Sequence, residues 1–184
     1  MGTIRWDQLL RPSLVLGGTI LELTPAVIAH HELKGLILDV DETLVPLRQQ
    51  TVSESVVAWV ESVRPQVALW LVSNNLSQSR IGSIAQSLDL PYILGARKPS
   101  RRKLREAVAA MDLPPTTVAM VGDRLFTDAL AGNRLGLFTI LVEPMVDPSQ
   151  VKSYPIRNFE VWLSRQLGVT LYHPKDNNEN GSGS

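Results

Sequence analysis

The 184-residue sequence has no cysteine, three histidines, 5% aromatic residues and no net charge. Without thiols there is no disulfide framework, no thiol nucleophile and no cysteine-ligated zinc or iron–sulfur site. The 18 Lys and Arg balance 18 Asp and Glu. The chain therefore lacks the positive excess with which a dedicated nucleic-acid binder displaces counterions, and no nucleic-acid partner is expected. A bilayer span needs roughly 20 predominantly apolar residues. The longest apolar run near the N-terminus, Leu14 to Leu21, is broken by Gly17-Gly18 and Thr19 and stops at Glu22. Asp7 and the lack of a small-residue cleavage site argue against a signal peptide. The expected location is cytoplasmic. Against these absences, 44% of the residues are hydrophobic, enough for one buried core in a chain of single-domain length.

From residue 36 onward, short apolar runs alternate with amphipathic stretches. Leu36–Val40, Val67–Val72, Tyr92–Leu94, Thr117–Val121 and Phe138–Val142 read as five strands. Between them, helical spacing marks Ser53–Val63 with Val56, Val57 and Val60 inward, and Ser77–Leu88 with Ile81, Ile84, Ala85 and Leu88 inward. Pro99 is expected to open a third helix, with Leu104, Ala107, Val108 and Met111 inward, and a fourth is expected near Thr127–Asn133. Thr24-Pro25 reads as the cap and first turn of a short helix over Ala26–Leu33. A C-terminal helix is expected around Phe159, Trp162 and Leu163, followed by a disordered polar tail over 171–184. Alternating strands and helices predict an α/β fold with a mostly parallel five-stranded sheet covered on both faces. The ligand site of such a sheet lies beyond the carboxyl ends of its strands.

Chemistry-bearing residues fall at those ends. Asp39 and Asp41 follow the first strand, Ser73-Asn74 the second, Lys98 the third, and Asp123 with Asp128 the fourth. Singly, each reads as turn, cap or surface chemistry. Jointly, clustered carboxylates repel unless a divalent cation sits among them. With no cysteine, and with His30, His31 and His173 elsewhere, hard oxygen ligands favour Mg²⁺ over zinc. A lysine and a serine beside free amides suit a phosphoryl dianion. One carboxylate can then attack phosphorus while its neighbour moves protons.

The run Asp39-Val40-Asp41-Glu42-Thr43-Leu44, then Ser73, then Lys98-Pro99, then Gly122-Asp123-Arg124-Leu125-Phe126-Thr127-Asp128 resembles the four ordered motifs of the haloacid dehalogenase superfamily. Arg97-Lys98-Pro99 and Gly132-Asn133-Arg134-Leu135-Gly136 are similar to its subclass IIIA, phosphatidylglycerophosphate phosphatase-like group. Two positions depart from the pattern: Glu42 stands where Asn is common, and Arg124 where Gln is expected. The resemblance implies a Rossmann-like three-layer sandwich and a phosphatase working through an aspartyl-phosphate. It implies that Asp39 is the nucleophile and Asp41 the acid and base, a role expected to place Asp41 buried beside the other acids. Asp39, Asp123, Asp128 and the Asp41 carbonyl would hold Mg²⁺. Thr43 would orient the first acids, and Ser73, Asn74 and Lys98 would hold the phosphoryl group. Arg97, Arg124, Asn133 and Arg134 are candidate substrate contacts.

The connections after the first and second strands are too short to house a cap domain, so the site is expected to be open to a substrate whose bulk stays outside. That suits a lipid headgroup, a protein, or a ligand closed in by a second subunit; the resemblance points to the first, the anionic lipid phosphatidylglycerophosphate, with peripheral contact to the inner membrane face. Arg97, Lys98, Arg101, Arg102, Lys103 and Arg105 could serve such contact or form an ordinary solvated face. The alternatives are a phosphatase of another bulky or soluble phosphomonoester and a non-catalytic lipid or protein adaptor. A phospho-receiver module fits less well, because its acidic pair precedes a phosphorylated Asp on a later strand. The expected organisation is an N-terminal extension over 1–34 packing on or beside the core, a phosphatase domain over 35–170, and the tail.

Overall fold

A computed structural model of the chain describes residues 6–145, with the backbone alone for Trp6 and Asp7. The expected C-terminal helix with Trp162 and the tail lie outside the described residues. Six strands form one sheet: β1 (Leu14–Val15), β2 (Gly35–Leu38), β3 (Ala68–Val72), β4 (Tyr92–Ile93), β5 (Val118–Gly122) and β6 (Phe138–Leu141), in the order β1-β6-β5-β2-β3-β4. Every pairing is parallel. The sheet thus has one strand more than expected. The addition is β1, whose Leu14 and Val15 register with Ile140 and Leu141. Two residues carry no readable period, so only the long-range pairing makes them a strand.

Alternation along β2 explains the layering, because successive side chains point to opposite faces. Leu36 and Leu38 pack with Val56, Val60, Ile81 and Ile84, whereas Ile37 packs with Leu104, Ala107, Val118 and Met120. The first face carries α2 (Pro25–His30), α3 (Glu54–Val63) and α4 (Gln78–Leu88), and the second carries α5 (Arg102–Met111) and α6 (Leu130–Asn133). A four-residue helix, α1 (Trp6–Leu9), precedes them. Side-chain oxygens start three of the helices: Thr24, Ser53 and Ser77 accept from the amides of Val27, Val56 and Arg80. In α3 the inward face is Val56, Trp59, Val60 and Val63, while Val57, expected inward, is exposed. Pro99 does not open α5. It sits in a turn closed by the Ser100 amide donating to Arg97 O (2.9 Å), ahead of Arg102.

Beyond β5 the chain winds one π-type turn, Leu125–Ala129, before α6. Among the described residues, the segment from Val45 to β3 holds a loop and α3, and that from Asn74 to β4 holds a loop and α4, so no cap is inserted in either. His31 packs against Phe138 (ring centroids 4.8 Å), the first residue of β6 and so at the amino end of that strand, away from the carboxyl ends. No described helix is long and apolar enough to cross a membrane.

Candidate active site

Each strand end delivers one part of the site. The amide of Asp39 extends the β2 ladder by donating to Val121 O (2.9 Å), so the residue leaves the sheet with its carboxylate at the strand end. Lys98 Nζ donates to Asp39 Oδ1 (2.6 Å) and to Val72 O (3.1 Å), and lies 2.7 Å from Asp128 Oδ1. The last contact is an ion pair outside hydrogen-bonding angles, which leaves the buried Asp128 Oδ1 without a hydrogen-bond partner. One carboxylate oxygen from each of Asp39, Asp123 and Asp128 falls within 4.8 Å of the others. The close approach of Asp128 depends on Gly122, where a Cβ would meet Asp128 Oδ2 at 2.3 Å.

Three acids around one ammonium group leave the cluster short of positive charge. Burial pushes the Asp39 carboxyl up to about 6, with Lys98 opposing the rise and Asp128 adding to it. Burial pushes Asp123 up to about 8, with Asp128 and Asp39 adding and Arg124 opposing. Burial works against the charge of Lys98, yet Asp128 and Asp39 outweigh it and hold its pKa above the ordinary lysine range. Oxygen-only donors from three clustered acids and carboxylates that resist ionisation without a further counter-charge fit a hard divalent cation. Asp39, Asp123 and Asp128 are the side chains able to hold it.

Other expected residues gather at the rim. Ser73 is buried and donates to Asp41 Oδ2 (3.2 Å). The side chain of Asn74 grips the Lys98 backbone at two points: Oδ1 accepts from its amide (2.7 Å) and Nδ2 donates to its carbonyl (3.3 Å). Thr43 differs from its expected role, since its hydroxyl donates to Asp123 Oδ1 (3.3 Å) rather than to an acid of the first loop. Asp41 is only partly buried and faces Arg80, Ser73 and Asn75 rather than the other acids. Asn133 is drawn away from the site: its Nδ2 donates to Leu9 O (2.8 Å) and Arg11 O (2.9 Å), and its Oδ1 accepts from Thr139 (2.9 Å). Those bonds commit the amide to the N-terminal segment and to β6. Arg134 donates to Pro99 O (3.1 Å), the residue after Lys98, and Arg97, the residue before it, is exposed.

Comparison with known proteins gives this arrangement a family. A family model described as HAD-hydrolase-like matches residues 95–161. The probable phosphatase YqeG of Bacillus subtilis is 35% identical over 127 residues, covering 68% of this chain and 73% of that protein. The chain belongs to the haloacid dehalogenase-like hydrolases. A second relative, phosphatidylglycerophosphate phosphatase 1 of the Chlamydomonas reinhardtii chloroplast, is 26% identical over 152 residues. That match covers 77% of this chain and 56% of the relative. A Xanthomonas campestris crystal structure shares the fold at 14% identity and a TM-score of 0.50, over 79% of this chain and 94% of that one.

As a haloacid dehalogenase-like hydrolase, the chain carries two features that its motifs did not announce. Arg80 is the partner of Asp41, and the same guanidinium donates to Gln49 O (3.1 Å) and Pro46 O (3.3 Å), tying the first loop to α4. A basic residue in the first turn of a helix opposes the helix dipole, and that misfit was the available signal. The two departures from the family pattern, Glu42 and Arg124, bond to each other: Arg124 Nη2 donates to Glu42 Oε2 (3.0 Å).

Proposed function

We propose that this haloacid dehalogenase-like hydrolase is a Mg²⁺-dependent phosphomonoesterase whose substrate is phosphatidylglycerophosphate. The observation carrying the hydrolytic reading is Lys98 Nζ set between Asp39 (2.6 Å) and Asp128 (2.7 Å) at the strand ends, with Asp123 completing the acidic cluster. Asp39 is the nucleophile: its oxygen forms a bond to phosphorus as the ester P–O bond breaks, and the departing alcohol takes a proton from Asp41. Asp41 then removes a proton from water, whose oxygen attacks phosphorus, releasing inorganic phosphate and regenerating Asp39. Ser73 and the Asn74 amide hold phosphoryl oxygens, Lys98 offsets their charge, and Asp41 exchanges Arg80 for the substrate during the cycle. Bound at Asp39, Asp123, Asp128 and the Asp41 carbonyl, Mg²⁺ would supply neutralisation of the phosphoryl charge. In this reading residues 35–170 are the catalytic domain and 1–34 an extension of it.

Three features support a lipid ester. The site has no inserted cap among the described residues. Leu47, Leu76 and Phe126 stand exposed on the loops that follow β2, β3 and β5, the same edge of a parallel sheet. A cavity of about 420 Å³, lined by Leu21, Leu44, Pro46, Pro144 and Met145 together with Thr19, Gln49, Ser53 and Glu143, adjoins the first of those loops. The test is phosphate release from phosphatidylglycerophosphate beside a panel of soluble phosphomonoesters, with Mg²⁺ and with chelator. The lipid is expected to be preferred, and Asp39→Asn to abolish turnover. Preference for soluble esters removes the lipid assignment, and turnover by Asp39→Asn removes the mechanism.

A further inference from the structure

Glu42 sits at φ +64° in the left-handed region, where Asn enters far more readily than Glu. Such a conformation is strained in a non-glycine residue. Its carboxylate is nevertheless buried and bonded to a guanidinium that is 46% exposed. A half-exposed ion pair adds little to stability. The pair does fix a position. Arg124 Nε lies 3.8 Å from Asp123 Oδ2, and the Arg124 amide donates to Asp128 Oδ2 (3.2 Å), which sets the guanidinium at the solvent edge of the acid cluster. Lys98 is buried deeper, between Asp39 and Asp128.

We propose that Arg124, positioned by Glu42, binds a second phosphate-type anion carried on the leaving alcohol, so that the site selects phosphomonoesters bearing one. The inference rests on the phosphomonoesterase reading and adds a specificity determinant to it. The guanidinium presents five N–H donors in a planar fork, so the bond to Glu42 leaves capacity for a fork-to-oxygen contact with an anion. Lys98 and the acids surround the reacting phosphoryl group, whereas Arg124 faces what protrudes from it. A glutamine at this position would bring no charge. The second anion is a phosphate mono- or diester, which a lipid headgroup and a free bisphosphate both supply.

The experiment measures kcat/KM with Mg²⁺ for glycerol 1,3-bisphosphate and glycerol 1-phosphate, and reads their ratio, from which any general loss of activity cancels. Wild type is expected to favour the bisphosphate. Arg124→Gln is expected to lower the ratio about tenfold or more, chiefly through KM, as for loss of a charge-assisted hydrogen bond. Glu42→Gln should lower it in part, and the double variant should match Arg124→Gln alone, since Glu42 acts through Arg124. Phosphatidylglycerophosphate in detergent micelles, run beside the soluble pair, distinguishes the sources: an Arg124-dependent preference for the lipid assigns the anion to a headgroup, and one confined to the bisphosphate assigns it to a free metabolite. An unchanged ratio in Arg124→Gln, or additive losses in the double variant, overturns the proposal while leaving phosphatase activity standing. Turnover of none of these esters overturns the phosphomonoesterase reading and this inference with it.

Discussion

Asn74 spends its side chain on the backbone of Lys98, accepting at 2.7 Å and donating at 3.3 Å. Asn74→Ala is therefore expected to act on rate more than on folding. A displacement of about 1 Å in a charge-positioning group costs up to about a hundredfold, whereas loss of exposed hydrogen bonds costs about 1 kcal/mol. Steady-state kinetics beside a thermal melt separates the two, and a large melting shift with unchanged kcat would refute the assignment. Gly122 is the complementary case. A methyl group there meets Asp128 Oδ2 at 2.3 Å inside a buried strand, so Gly122→Ala is expected to destabilise by about 1–3 kcal/mol and to lose the stabilisation Mg²⁺ gives wild type. Urea midpoints with and without the ion measure both. At this scale the acids, Ser73, Asn74 and Lys98 were legible because their chemistry sits at fixed places in a strand–helix alternation. The pairings of Arg80 with Asp41 and of Arg124 with Glu42 were not, since contacts between residues 39 and 82 positions apart leave no local pattern, and the misplaced charge of Arg80 in α4 marks the residue without naming its partner.

Elements were readable where a buried face repeats. Helix α4 buries Ile81, Ile84, Ala85 and Leu88, the four residues its spacing marks. Pattern failed where other bonds overrule it: Pro99 lies in the turn that the Ser100 amide closes on Arg97 O, ahead of α5, and β1 is a strand through its pairing with the edge of β6. The end of α6 shows the same effect. Asn133 stands in a motif-like segment, yet its amide fastens the carbonyls of Leu9 and Arg11 to Thr139 of β6. Asn133→Ala is expected to cost about 1–3 kcal/mol, the penalty for leaving such partners unmet, with KM unaltered. A raised KM at unchanged stability would return Asn133 to the substrate side.

For the molecule as a whole, the raised carboxylates set a pH dependence of stability. In metal-free protein Asp39 titrates near 6 and Asp123 near 8, against 3.8 for an unperturbed aspartate. Across that interval the folded chain binds more protons than the unfolded chain, so the contribution of these groups falls as pH rises and is spent above about pH 8. With chelator, the urea midpoint is expected to be lower at pH 8 than at pH 6, and saturating Mg²⁺ to narrow the gap by favouring the ionised acids. A midpoint that rises over this range in chelator would contradict the cluster's electrostatics. The outermost strand carries a consequence of another kind. Leu14 is synthesised 126 residues before Ile140, its partner in the ladder, which at ribosomal speed is a delay of roughly 6–25 s. The nascent chain must therefore hold that edge segment unpaired while the rest of the sheet assembles, and the first strand translated becomes the last to dock.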